Sequence, residues 1–262
     1  MNIDLTDKTA LVCGSTQGIG KATAEQLAKM GANVVLMARN EQKLVEVKRQ
    51  LDTSKGQQHF HLKADFNFPP EVRIKVESFI EEFMPIDILV NNTGGPAAGP
   101  AIDAKVDEYI HAFNMHLVSN QSLAQTVVPG MKERGYGRII NVISTSVKQP
   151  LNGLGVSNTI RGAVANWAKT LANELGEFGI TVNNVLPGAT NTSRLKQIIE
   201  NKAAKSGKSE DEVAATMTGQ VPMKRFAEPF EVANGIAFLA SPAASYINGV
   251  NLPVDGGRTK SL

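Results

Sequence analysis

The sequence predicts a doubly wound α/β fold, a parallel sheet of about seven strands with helices on both faces. Short apolar runs recur along the 262 residues with helix-forming segments between them, the alternation expected of βαβ units. The runs carry little polar alternation, so they suit strands covered on both sides rather than one. A glycine-rich loop follows the first run directly, at the strand end where such sheets place a ligand.

The elements follow in order. Strands are expected at Thr9 to Cys13, Asn33 to Met37, His59 to Leu62, Ile86 to Val90, Arg138 to Ile143, Thr181 to Leu186 and Val250 to Val254. The first helix is expected to run from Lys21 to Lys29, and two long helical stretches from about Lys105 to Arg134 and from Gly153 to Phe178. Between Pro187 and Pro229 the chain turns polar and Lys-rich, with weaker helical segments at about Ser193 to Lys205 and Ser209 to Met217. That stretch, about 189–226, reads as a mobile lid, because it has little apolar surface to bury. No Pro/Ser-rich linker and no internal repeat divides the chain, so residues 1–262 are expected to form a single domain.

Composition narrows the function. The net charge is +2 and no stretch collects five or six like charges, which leaves no electrostatic footprint for nucleic acid or an anionic membrane. A small-molecule partner is expected. The opening Met1 to Asp7 lacks a basic region followed by an apolar stretch, and nowhere do about 18 apolar residues run together. The single cysteine, Cys13, ends an apolar strand and reads as a packing residue rather than a reactive thiol. A soluble protein of a reducing cytoplasm fits these features, and no metal site is read.

The loop Gly14-Ser15-Thr16-Gln17-Gly18-Ile19-Gly20 links the first strand to the first helix. Side chains at Gly14 or Gly18 would hold a pyrophosphate away from the backbone, and Gly20 lets the helix start lie close to the strand. The helix then offers unpaired N–H groups and the positive end of its dipole to an anion. The spacing is Gly-x-x-x-Gly-x-Gly rather than the commoner Gly-x-Gly-x-x-Gly.

Further segments follow in a fixed order: Asp65 after the third strand, Asn91-Asn92-Thr93-Gly94 after the fourth, Asn114 within a long helix and Ser144 after the fifth strand. Pro187-Gly188 with Thr192 follow the sixth, and Phe238 to Ser241, Gly249 and Val254-Asp255-Gly256-Gly257 close the chain. Over nearly its whole length the sequence resembles the short-chain dehydrogenase/reductase family, nearest in style to its 3-oxoacyl-carrier-protein reductase-like members. The resemblance implies a Rossmann-type sheet, a nicotinamide cofactor and a carbonyl or alcohol substrate. It assigns Asp65 to the adenine amino group, with loop capping as its other reading, and the Asn91 and Gly94 backbone to the adenosine ribose. Asn114 would bend its helix and hold a water for proton relay, Pro187 and Gly188 would admit the nicotinamide, and Thr192 would bond its carboxamide or cap the next helix. Ser144 would hydrogen-bond the substrate oxygen. A homotetramer or homodimer, assembled through the two long helical stretches, is also implied.

Cofactor choice is read at the end of the second strand. An acid there would bond both ribose hydroxyls and select NAD(H), whereas this chain has Ala38 and Arg39. A guanidinium forks onto a 2′-phosphate through charge-assisted bonds, so NADP(H) is expected over NAD(H).

The chain departs from the family where a Tyr-x-x-x-Lys is expected. Thirteen residues after Ser144 it reads Ser157-Asn158-Thr159-Ile160-Arg161. A phenol whose pKa is lowered by an ammonium suits protonation of an alkoxide, while a serine hydroxyl is far less acidic and Arg161 cannot release a proton. Arg161 could still fork onto the ribose hydroxyls. The proton source stays open, with a water held by Asn114 and Ser157 as one candidate and His111 or His116 as others. Two functions are therefore expected in parallel: an NADP(H)-dependent carbonyl reductase or alcohol dehydrogenase with an atypical proton donor, and a catalytically impaired NADP(H)-binding sensor, regulatory or scaffold protein. In the lid, Arg194, Lys196, Lys202, Lys205 and Lys208 face either an anionic substrate or solvent.

Overall fold

The computed structural model describes residues 1–261. Strands β1 (Thr9–Cys13), β2 (Asn33–Ala38), β3 (His59–Lys63), β4 (Ile88–Asn91), β5 (Gly137–Val142), β6 (Ile180–Pro187) and β7 (Asn251–Val254) form one sheet in the order β3-β2-β1-β4-β5-β6-β7. All neighbouring pairs are parallel. The order reverses between β1 and β4, so the crevice at their carboxyl ends is the switch point where this architecture takes a ligand.

Both sheet faces are covered, which explains the apolar runs. On one face α1 (Gly18–Lys29), α2 (Glu41–Gln50) and α9 (Pro229–Ala240) pack through Leu27, Leu44 and Ile236 onto Val12, Leu36 and Val90. On the other, α3 (Pro69–Glu82), α5 (Ser119–Arg134) and α6 (Gly155–Leu175) pack through Val76, Leu123 and Ala168 onto Leu11, Leu89 and Ile139. β4 begins two residues later than the sequence suggests. The Asp87 side chain accepts the Thr9 N–H at 3.0 Å and pairs with Arg134 at 3.0 Å, which pins α5 to the start of the strand.

Polar groups cross the sheet in one line. Asn91, Asn141, Asn184 and Asn251 are register neighbours on β4, β5, β6 and β7. Asn91 Nδ2 donates to Asn141 Oδ1 at 2.9 Å, Asn141 Nδ2 to Asn184 Oδ1 at 3.0 Å, and Asn184 Nδ2 to Asn251 Oδ1 at 2.8 Å. The ladder pairs amides that would otherwise be costly to bury, and leaves Asn91 Oδ1 as its unpartnered end.

Asn114 interrupts its helix, as the resemblance implies: α4 (Val106–Phe113) passes into a π-helical turn over Asn114–Val118 before α5, and the Ser119 N–H donates to the Asn114 carbonyl. One extra residue per turn is the usual form of such a bulge. The 189–226 segment buries more than its composition suggests. Its helices α7 (Ser193–Ser206) and α8 (Glu210–Gly219) enclose Leu195, Ile199 and Val213, flanked by Met217 and Phe226. These positions meet only once both helices have formed, so no single stretch shows a strong pattern.

Candidate active site

The glycine loop crosses the switch point between β1 and α1. The Gly14 N–H donates to the Met37 carbonyl at 2.8 Å, and buried Ser15 accepts the Met37 N–H at 3.0 Å, so the loop is tied to β2. Asn92 holds it from the other side, its Nδ2 donating to the Cys13 and Gly14 carbonyls at 3.2 and 3.3 Å. Gly18 has φ +54°, a conformation that L side chains rarely adopt, and a β-carbon at Gly20 would strike the Gly14 carbonyl. Thr16 is half-buried. Exposed Gln17 precedes α1 without a side-chain cap, and no acidic residue occupies the first turn. The first N–H groups of α1 therefore remain available to an anion, which fits a pyrophosphate. Ile19 turns its side chain into the apolar face beneath, so only its backbone belongs to the crevice.

The rest of the crevice comes from the ends of β2, β3, β4 and β6. Arg39 is exposed at the end of β2, and none of the ion pairs among the described residues engages it. Asp65 accepts the Asn67 N–H at 3.0 Å, the loop-capping arrangement. Asn91 spends its amide nitrogen on the sheet ladder, while Gly94 borders open space. The Gly188 N–H donates to the Val254 carbonyl at 2.9 Å, and a β-carbon there would lie 2.7 Å from Asp255 Cα; half-buried Pro187 ends β6 beside it. Thr192 caps α7, accepting the Leu195 N–H at 3.3 Å. Its Cγ2 also lies 3.1 Å from the place a β-carbon on Gly18 would take. The capping reading of Thr192 thus has its geometric counterpart.

The remaining site residues expected from the sequence lie beyond β5. Half-buried Ser144 accepts the Ser146 N–H at 3.1 Å. Ser157 is half-buried in the first turn of α6 and Arg161 one turn further on. The Arg161 guanidinium is buried, with Nη1 donating to the Val142 carbonyl at 2.9 Å. Burial, with Arg194 nearby, pushes its pKa down to about 10. Half-buried Asn114 opens the π-turn that continues to His116.

Three residues named in the sequence analysis take roles it did not assign them. Asn92 locks the glycine loop, and its place beside Asn91 was the available signal. His116 is 2% exposed with Nε2 unpartnered, whereas His111 is exposed. Burial, then Arg161, pushes the His116 pKa down to about 2, so the ring is neutral. Arg194 Nη2 donates to the Pro96 carbonyl at 2.8 Å, joining α7 to the loop after β4. Nothing in the local sequence marks that contact.

Comparisons with known proteins agree with this fold. A family profile described as enoyl-(acyl carrier protein) reductase matches residues 14–259. The chain is 34% identical over 258 residues to 3-oxoacyl-(acyl-carrier-protein) reductase FabG of Vibrio cholerae, covering 97% of this chain and 98% of that one. L-sorbose reductase from Gluconobacter frateurii, solved with NADPH and L-sorbose, superposes with a TM-score of 0.93 at 34% identity, covering 100% of both chains. YwfH, an NADPH-dependent reductase involved in bacilysin biosynthesis, superposes with a TM-score of 0.92 at 29% identity, covering 98% of this chain and 100% of that one.

Proposed function

Because the chain belongs to the short-chain dehydrogenase/reductase family, we propose that it is an NADP(H)-dependent oxidoreductase acting on a small carbonyl or alcohol substrate with an atypical proton donor. The observation that carries the reading is the uncapped start of α1 behind a glycine loop with no room for side chains at Gly20. The bound nicotinamide would supply hydride. Gly14, Thr16, Gln17, Gly18, Ile19 and Gly20 would hold the pyrophosphate through their backbone, and Arg39 the 2′-phosphate. Asp65, Asn91 and Gly94 would border the adenosine, and Pro187, Gly188 and Thr192 the nicotinamide.

At the reacting carbon, Ser144 would hydrogen-bond the substrate oxygen. Ser157 and Arg161 stand where relatives are expected to carry tyrosine and lysine. Ser157 leaves space for a water that, held with Asn114, would deliver the proton, while Arg161 keeps positive charge near the developing alkoxide. The 189–226 segment would close over the substrate, and two or four copies would assemble through the faces of α4, α5 and α6. The second reading, a nucleotide-binding protein that has lost hydride transfer, draws on the same replaced pair. Titration with NADPH and NADH, followed by NADPH consumption with a panel of ketones, separates them: binding with turnover supports the enzyme, binding without turnover the sensor, and no binding overturns both.

A further inference from the structure

Three consecutive residues of the loop after β4 each meet a basic side chain from a different element. At Gly94 lies His116 of the π-turn, whose ring is near the Gly94 carbonyl. At Gly95 lies Arg161 of α6, with Nη2 3.8 Å from the place a β-carbon on Gly95 would take. At Pro96 lies Arg194 of α7, bonded to the carbonyl at 2.8 Å. Arg161 forms the buried floor and Arg194 the exposed mouth of this cluster.

No carboxylate answers these charges. The ion pairs among the described residues involve none of the three side chains. The charged groups that act on Arg161 and His116 are Arg194, His111 and Arg161 itself, all basic. A guanidinium carries five N–H donors, and Arg161 makes one hydrogen bond among the described residues. Burying such a cation without an opposite charge is unfavourable, and a bound oxyanion supplies what is missing. The anionic groups of the proposed cofactor are directed elsewhere, the pyrophosphate to the glycine loop and the 2′-phosphate to Arg39. The ribose that Arg161 could reach is neutral.

We propose that the substrate carries an anionic group beside its reacting carbonyl, and that the guanidinium groups of Arg161 and Arg194 hold it over Gly95 and Pro96. A short oxo acid, whose planar carboxylate matches a guanidinium fork, is the substrate class this arrangement fits. Neutral His116 closes the back of the site without adding an acid to repel the anion. The proposal rests on the reading of this crevice as the nicotinamide site.

The test is calorimetric titration of the NADPH-saturated full chain, so that the glycine loop and Arg39 are already filled. Pyruvate is compared with its methyl ester, which keeps the reacting carbonyl and removes the charge. Pyruvate should bind at least about tenfold tighter than the ester, and Arg194→Gln should remove most of that difference. Because removing a buried guanidinium can unfold the chain, Arg161→Gln is read only alongside the exposed Arg194→Gln. Inorganic phosphate is titrated in parallel: displacement of pyruvate makes phosphate-bearing carbonyl compounds the occupant, and failure to displace it makes the carboxylate the occupant. Equal binding of pyruvate and its ester, an Arg194→Gln variant that binds pyruvate unchanged, or no binding of either anion overturns the proposal. If the chain binds pyruvate at this pair but not NADPH, the cofactor reading falls and the anion site stands. If it binds NADPH and reduces neutral ketones while ignoring pyruvate, the reverse holds.

Discussion

Thr192 lies against Gly18: its Cγ2 would be 3.1 Å from a β-carbon at that glycine. The start of α7 therefore touches the start of α1, although two strands, β4 and β5, lie between β1 and β6 in the Rossmann sheet. The glycine loop and the segment that follows β6 thus share a border.

Gly18→Val should abolish NADPH binding while leaving the sheet folded. The new side chain meets Thr192, and at φ +54° a β-branched residue adds local strain. Calorimetric titration checks the binding and far-ultraviolet circular dichroism the fold. Binding within a few-fold of the starting protein would mean the loop has another role.

Arg39→Ala should weaken NADPH by about tenfold or more and leave NADH nearly unchanged, because a charge-assisted contact to the 2′-phosphate is worth about 1.5 to 3 kcal/mol. Equal affinity of the starting protein for the two nucleotides would remove the basis for this preference.

Much of this was legible because it is local. Apolar runs such as Val34 to Met37 mark strands covered on both faces, and the glycine loop carries its own spacing. The end of β2 presents Arg39 in plain view. What escaped is tertiary. Asn141 and Asn184 read as interruptions of their strands until pairing sets them side by side. His116 reads as an ordinary helical histidine until the π-turn faces it toward Arg161. The contact from Arg194 to Pro96 spans 98 residues of sequence.

The pair Ser157→Tyr with Arg161→Lys should raise turnover of simple ketones. Loss of a positioned general acid typically costs about 10² to 10⁴ in rate, and each single change should recover less than the pair, since the phenol and ammonium act together. Steady-state rates of the four proteins provide the check. A double variant slower than the starting protein would mean that another donor already serves.

Amides from about 190 to 225 should exchange quickly in the free protein and more slowly with NADPH. The apolar cluster of Leu195, Ile199 and Val213 is separate from the two cores that flank the sheet, so α7 and α8 can open without disturbing either. Uniform protection before cofactor is added would contradict this.

His116 should make the fold acid-sensitive. Burial, then Arg161, lowers its pKa from 6.5 to about 2. Below pH 6.5 the unfolded chain therefore takes up a proton that the native chain refuses, and stability falls as pH falls toward 2. His116→Gln should lose about 1.4 kcal/mol less than the starting protein between pH 7.5 and 5.5, measured by urea unfolding. Parallel pH profiles for the two proteins would rule this out.

The asparagine ladder bears on how the strands find their partners. Parallel strands buried on both faces offer near-uniform apolar side chains, so a pairing shifted by two residues would bury almost as much surface as the right one. Asn91, Asn141, Asn184 and Asn251 remove that degeneracy. Any slip among β4, β5, β6 and β7 sets at least one amide against a hydrocarbon neighbour and strands its donor. Four residues spread over 160 positions thus act as a single alignment key, which half of the sheet must satisfy together before it can close.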